Sequence, residues 1–156
     1  MDTTKMLGTI QFDEFGYLPD GEYLGTWSEI CERFGIGERR TWLLEGLQLL
    51  VNDLRAARVR DVWLDGSFVT DDPDPRDYDV CWSPTGANKD TLPREFGYEQ
   101  EASVDPNIPN HELLVQKYRG DVFVHLPPWA DFVSRFRQDR EGRSRGIVKI
   151  DMDSLE

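Results

Sequence analysis

Residues 65–81 read DGSFVTDDPDPRDYDVC and hold six aspartates with one arginine, Arg76. Strand-like apolar runs flank them: 59–64 before, and 77–82, closed by Ser83-Pro84-Thr85-Gly86. A chain that feeds this much like charge into a buried-looking strand needs something to hold it there. On a strand, residues i and i+2 point to the same face. Asp77 and Asp79 therefore project together, while Tyr78 and Val80 pack on the other side. Two carboxylates this close repel, and one takes up a proton unless a cation holds both. Paired hard oxygens suit Mg²⁺ or Mn²⁺, which complete their shell with water and substrate phosphates. At the end of the preceding strand, Gly66 allows close backbone approach, and Ser67 offers a hydroxyl and an N–H to a phosphate oxygen. Asp71, Asp72 and Asp74 read as a solvated loop. The segment is not an EF-hand loop, because the required glycine and terminal glutamate are out of place.

The 156 residues fit one domain with a sizeable core. A hydrophobic content of 38% and 18 aromatic residues exclude a disordered chain. The net charge of −12 disfavours sequence-independent binding to duplex DNA, which needs a basic face. Arginine nevertheless concentrates near the C-terminus, at 135, 137, 140, 143 and 145. This cluster reads either as a solvated face or as the cations that a triphosphate or an RNA acceptor would need. Two cysteines without metal spacing make zinc improbable and imply reduced thiols and a cytoplasmic location. The N-terminus has no apolar leader and no membrane span follows.

The pattern predicts an extended N-terminal arm over 1–25, with a turn at Pro19-Asp20-Gly21. Thr26 and Glu29 form a capping box for a helix reaching Phe34, with Gly35 as its C-terminal cap. A second helix runs from about Glu38 to Ala57. Its core stripe is Leu43, Leu47, Leu50, Val51 and Leu54, extended by Trp42. Residues 85–110 read as loop. A short helix is expected over 110–118, a third strand over 121–126, and a last helix over 129–138 after Pro127-Pro128. From 147 the chain alternates and reads as a final edge strand. The expected class is α+β, a single domain with a small mixed sheet and helices mainly on one face. His111 and His125 read as structural, although His125 could face the same side as Asp121 and Phe123.

Strand, Gly66-Ser67, a short insert and Asp77-x-Asp79 on a second strand together resemble the nucleotidyltransferase superfamily of the DNA polymerase beta type, in minimal form. The resemblance centres on 60–82. The fuller pattern of GSFVT, Pro75 and Asp77-x-Asp79, with FGYLPDG before and DREGRSRGIVKI after, is similar to small uncharacterised proteins assigned to that superfamily. The resemblance implies a nucleotidyltransferase-like fold, in which Gly66 and Ser67 hold a triphosphate and Asp77 and Asp79 bind two Mg²⁺ or Mn²⁺ ions. It also implies a third carboxylate from a later strand, for which Asp121 is the candidate, as ligand or base. The implied reaction moves a nucleoside monophosphate from an NTP to a protein, RNA or small-molecule acceptor. A toxin–antitoxin or phage-defence setting is implied in the same way. Pro73 and Pro75 leave little room for the short helix that usually follows Gly-Ser. The alternative is a non-catalytic module of the same fold that binds a partner protein or nucleotide. With no second domain to hold an acceptor, catalysis would call for a dimer or a protein partner.

Overall fold

Thr26 accepts a hydrogen bond from the Glu29 amide while the Glu29 carboxylate accepts one from the Thr26 amide, and this capping box starts α1, Trp27–Phe34. The computed structural model describes residues 4–93, 96 and 111–155. Most of the expected 85–110 loop and the side chain of His111 lie outside the described residues. The longest element is α2, Glu38–Ala56, which buries Leu43, Leu47, Leu50, Val51 and Leu54 completely. Each such side chain contributes roughly 1.5–3 kcal/mol by leaving water.

Among the described residues six strands form one mixed sheet: β1 (Lys5–Met6), β2 (Glu22–Gly25), β3 (Val62–Asp65), β4 (Asp79–Trp82), β5 (Asp121–Val124) and β6 (Ile147–Ile150). Their order is β1-β2-β6-β3-β4-β5. β3 is antiparallel to both of its neighbours, β6 and β4, whereas the remaining pairs are parallel. Two further helices, α3 (His111–Tyr118) and α4 (Phe132–Phe136), complete a mixed α and β fold.

Strand alternation sorts the core onto two faces. Leu64, Val80, Val122, Val148 and Ile150 pack with residues of α1, α2 and α3. Trp63, Cys81 and Ile147 pack on the other face with Ala130, Phe132 and Phe136 around α4. Among the described residues, three of the four α-helices thus share one face, and α4 covers part of the other.

Several expectations require correction. The strand after Gly146 is not at an edge. β6 lies inside the sheet between β2 and β3, with Ile147 and Val148 both fully buried. Its polar residue Lys149 misleads because its ammonium lies over the Trp63 ring, 5.5 Å from the centroid, and pairs with Asp61 at 2.8 Å. Trp42 is not core. It is 42% exposed and sits between the guanidinium groups of Arg39 and Arg119, 4.7 and 4.5 Å from its ring. One residue along a helix is a turn of about 100°, so a neighbour of Leu43 need not share its face. The last helix is shorter than 129–138. Ala130 instead closes a backbone bridge with Leu126, and Asp131 caps α4 by accepting from the Ser134 amide.

Candidate metal centre

The reversed direction of β3 determines where the acids meet. Its C-terminal residue, Asp65, lies beside the first residues of β4 and β5. Asp65 is the register partner of Asp79, and Asp79 is the register partner of Asp121. Because Leu64, Val80 and Val122 face the helices, the three aspartates turn to the opposite face. Asp77 precedes β4 rather than belonging to it, yet it reaches the same place. Carboxylate oxygens of Asp77, Asp79 and Asp121 lie within 4.8 Å of one another, each residue being partly buried. The three acids named from the sequence are therefore brought together.

Local backbone geometry fixes them. Asp77 follows a segment held by Arg39, which donates to the carbonyls of Pro75 and Arg76 at 3.1 and 2.7 Å. Tyr78, which separates Asp77 from Asp79 just before β4, is buried and donates to the Tyr118 carbonyl at 2.6 Å. That contact ties β4 to the chain just before Asp121. Gly120 is required there, because a Cβ would stand 2.5 Å from the Tyr78 ring.

Gly66 and Ser67 border the same place. Gly66 has φ +89° and ψ −171°, a combination that only glycine adopts readily. A Cβ on it would lie 3.1 Å from Asp79 Oδ2 and 3.2 Å from the Asp79 amide nitrogen. Ser67 opens a single 3₁₀ turn, Ser67–Val69, in place of a longer helix. The chain beyond it is anchored by Arg40, which is buried and donates to four carbonyls: Phe34, Phe68, Thr70 and Asp72. A cavity of about 480 Å³ opens at Gly66, Ser67 and Asp79 and is walled by Tyr17, Gln138, Asp139, Arg140, Glu141 and Arg145. A larger cavity of about 710 Å³ lies at the other end of the sheet, lined by Arg55, Arg58, Arg60 and Lys149, and includes none of the three acids.

The electrostatics fit a cation site. Burial, then the charges of Asp121 and Asp77, push the Asp79 carboxyl up to about 7, against the pull of Arg145. Asp65 is fully buried, and burial likewise raises it to about 7 although the Arg145 guanidinium draws it down. An all-carboxylate donor set suits Mg²⁺ or Mn²⁺. A divalent ion among the three acids would offset their repulsion and favour the ionised form of Asp79.

The other candidates are placed as follows. Of the three loop acids, Asp71 and Asp74 are exposed, whereas Asp72 is half-buried where its carbonyl accepts from Arg40. His125 faces the side of Asp121 but stands apart from the acid group. Its ring meets Trp63 edge-on at 5.1 Å, and its Nδ1 lies 3.9 Å from Asp131. Within the arginine cluster, Arg137 pairs with Asp20, Arg143 with Asp139 and Glu141, and Arg135 lies over Phe132. Only Arg140 and Arg145 reach the cavity. The sequence reading missed the roles of Asp65, Tyr17 and Arg40. Asp65 had one legible signal, its place at a strand end directly before Gly66. Tyr17 and Arg40 had none, because their contacts are made by distant segments.

The fold and site define a small α and β domain carrying a carboxylate centre beside a glycine-serine turn. The chain belongs to DUF6932, a family of unknown function whose model matches residues 10–151. No curated protein and no solved structure matches it. No helix among the described residues is long and apolar enough to cross a membrane.

Proposed function

We propose that this protein is a metal-dependent nucleotidyltransferase that moves a nucleoside monophosphate from an NTP to an acceptor group on a protein, an RNA or a small molecule. The observation that carries this reading is the convergence of Asp77, Asp79 and Asp121 on one point beside Gly66 and Ser67. Carboxylates at the starts of two adjacent strands, next to a turn entered through a glycine, would make a place where a cation and a phosphate can meet.

The roles divide by position. Asp77, Asp79 and Asp121 would hold Mg²⁺ or Mn²⁺. Such an ion would supply charge neutralisation on phosphate oxygens and a lowered pKa for an attacking hydroxyl. Gly66 leaves room for the Asp79 carboxylate at the cavity, and the Ser67 hydroxyl and amide would donate to a phosphate oxygen there. Arg40 holds the chain after Ser67 so that this turn keeps its shape.

The test is incubation of the purified protein with Mg²⁺ or Mn²⁺, each labelled NTP and a cell lysate, scored for label transferred. Transfer that disappears in Asp77→Ala and Asp79→Ala supports the proposal. Saturable NTP binding without transfer in any lysate would assign the non-catalytic binding module instead.

A further inference from the structure

The acids of the site extend one strand further than a single cation centre requires. Asp65, Asp79 and Asp121 form a continuous row across β3, β4 and β5. The row offers two neighbouring places for positive charge, one among Asp77, Asp79 and Asp121, the other on the Asp65 side. The second is already taken. Arg145 places Nη2 2.9 Å from Asp65 Oδ2, and Asp65 is fully buried. No donor among the described residues meets either Asp65 oxygen in full hydrogen-bond geometry, but the Gly66 backbone and the Arg145 guanidinium lie close enough to stabilise its charge, the guanidinium as an ion pair. Arg145 is itself fixed, since its Nε donates to the Phe136 carbonyl at 2.9 Å and its amide to the Arg137 carbonyl at 2.9 Å. Its charge is permanent, because a guanidinium keeps its proton in proteins.

We infer that Arg145 is a resident cation that replaces a second metal ion, so that each chain takes one divalent ion and Arg145 binds the phosphate group beside it. This rests on the reading of the acid centre as a metal site. Withdrawing Arg145 would leave Asp65 buried without its cation, and a second dication beside Asp65 and Asp79 would meet the guanidinium. Nη1 makes no hydrogen bond to a described residue, while Arg145 lines the cavity shared by Gly66, Ser67 and Asp79. A phosphate oxygen there could accept from Nη1 and from the Ser67 amide together. Arg145 would thus recognise and position the phosphate chain, with no proton transferred through it.

The experiment counts Mn²⁺ bound per chain by electron paramagnetic resonance, using the full chain at pH 8 with and without inorganic tripolyphosphate. One ion in both conditions is expected. Two ions in either condition overturn the inference while leaving the metal centre intact. No saturable ion defeats the metal centre itself, and the inference with it. A second arm compares the wild type with Asp65→Asn/Arg145→Met, which removes both charges of the pair together. Mn²⁺ alone should bind the double variant within about threefold of wild type, whereas tripolyphosphate affinity should fall by about tenfold or more, as expected for loss of a charge-assisted hydrogen bond. Unchanged tripolyphosphate affinity would overturn the phosphate role. If the double variant does not fold, the wild-type count decides the question of one ion or two, and Arg145→Lys replaces it in the tripolyphosphate comparison. A lysine keeps the charge but loses the planar fork, so affinity should still fall by about tenfold. Affinity equal to wild type would overturn the role.

Discussion

Asp121 stands directly across from Asp79 in the parallel pairing of β4 and β5, and the two carboxylates share one small space with Asp77. Without a cation this arrangement is repulsive, so neutralising one member should have opposite effects on stability and on metal binding. Asp121→Asn is expected to raise the Tm of the metal-free protein at pH 8. It should also lower Mn²⁺ affinity by more than about tenfold, equivalent to about 1.4 kcal/mol. Thermal unfolding with and without metal measures both. A variant that loses stability and binds Mn²⁺ as before would contradict the placement.

The pH dependence follows from the same crowding. Asp65 and Asp79 have folded-state values of about 7, against an ordinary 3.8. Between those values the folded protein retains protons that the unfolded chain has released, so these two groups make stability fall as pH rises. His125 acts in the opposite sense below its ordinary 6.5, because burial lowers it. Two acids outweigh one histidine, and the metal-free protein should have a lower Tm at pH 8 than at pH 5.5. Asp79→Asn should flatten that decline, and Mg²⁺ at pH 8 should reverse part of it. A Tm that rises steadily from pH 5.5 to 8 without metal would exclude this electrostatic picture.

Gly66 combines a glycine-only backbone conformation with close approach to Asp79. Gly66→Ala should cost about 1–3 kcal/mol in conformational strain alone. It should also displace the Asp79 carboxylate and weaken Mn²⁺ binding. Denaturant titration and metal titration of the same variant test this. Unchanged metal affinity would place the Asp79 side chain elsewhere.

Arg40 binds four carbonyls from two segments, which lysine cannot do with one ammonium. Arg40→Ala should destabilise the protein by about 3 kcal/mol or more, since it leaves buried acceptors unpaired. Arg40→Lys should restore less than half of that. Urea unfolding of both variants measures the difference, and equal stability of Arg40→Lys and wild type would refute the account.

The exposed stack of Arg39, Trp42 and Arg119 links α2 to the segments that deliver Asp77 and Asp121. Arg39 holds the Pro75 and Arg76 carbonyls, and Arg119 donates to the Trp42 carbonyl at 2.7 Å. Each exposed stacking contact is worth about 0.5–1 kcal/mol. Trp42→Ala should therefore cost little stability yet reduce Mn²⁺ affinity several-fold, with recovery in Trp42→Phe. An affinity unaffected by Trp42→Ala would limit the stack to a surface role.

Local order was the legible part of the sequence. The capping box at Thr26, the leucine spacing of α2 and the i, i+2 relation of Asp77 and Asp79 all depend on neighbours within a few residues. Trp42 misled because an apolar side chain beside a core stripe can be covered by arginine instead of by the core. β6 misled because the Lys149 ammonium is held over the Trp63 ring and paired with Asp61, so a charged residue sits inside the sheet. Asp121 entered only through resemblance. No local pattern announces that a strand starting after Gly120 will pair in register with Asp79. The Asp65–Arg145 pair was hidden for the same reason. It requires the reversed β3 and the segment after α4 to meet on one face of the sheet.

The measurement closest to the central claim is titration of Mn²⁺ into the wild-type chain and Asp79→Asn at pH 8. Saturable binding to the wild type, lost or weakened by more than about tenfold in the variant, is the predicted result. Absence of saturable binding, or equal binding by both proteins, would contradict it.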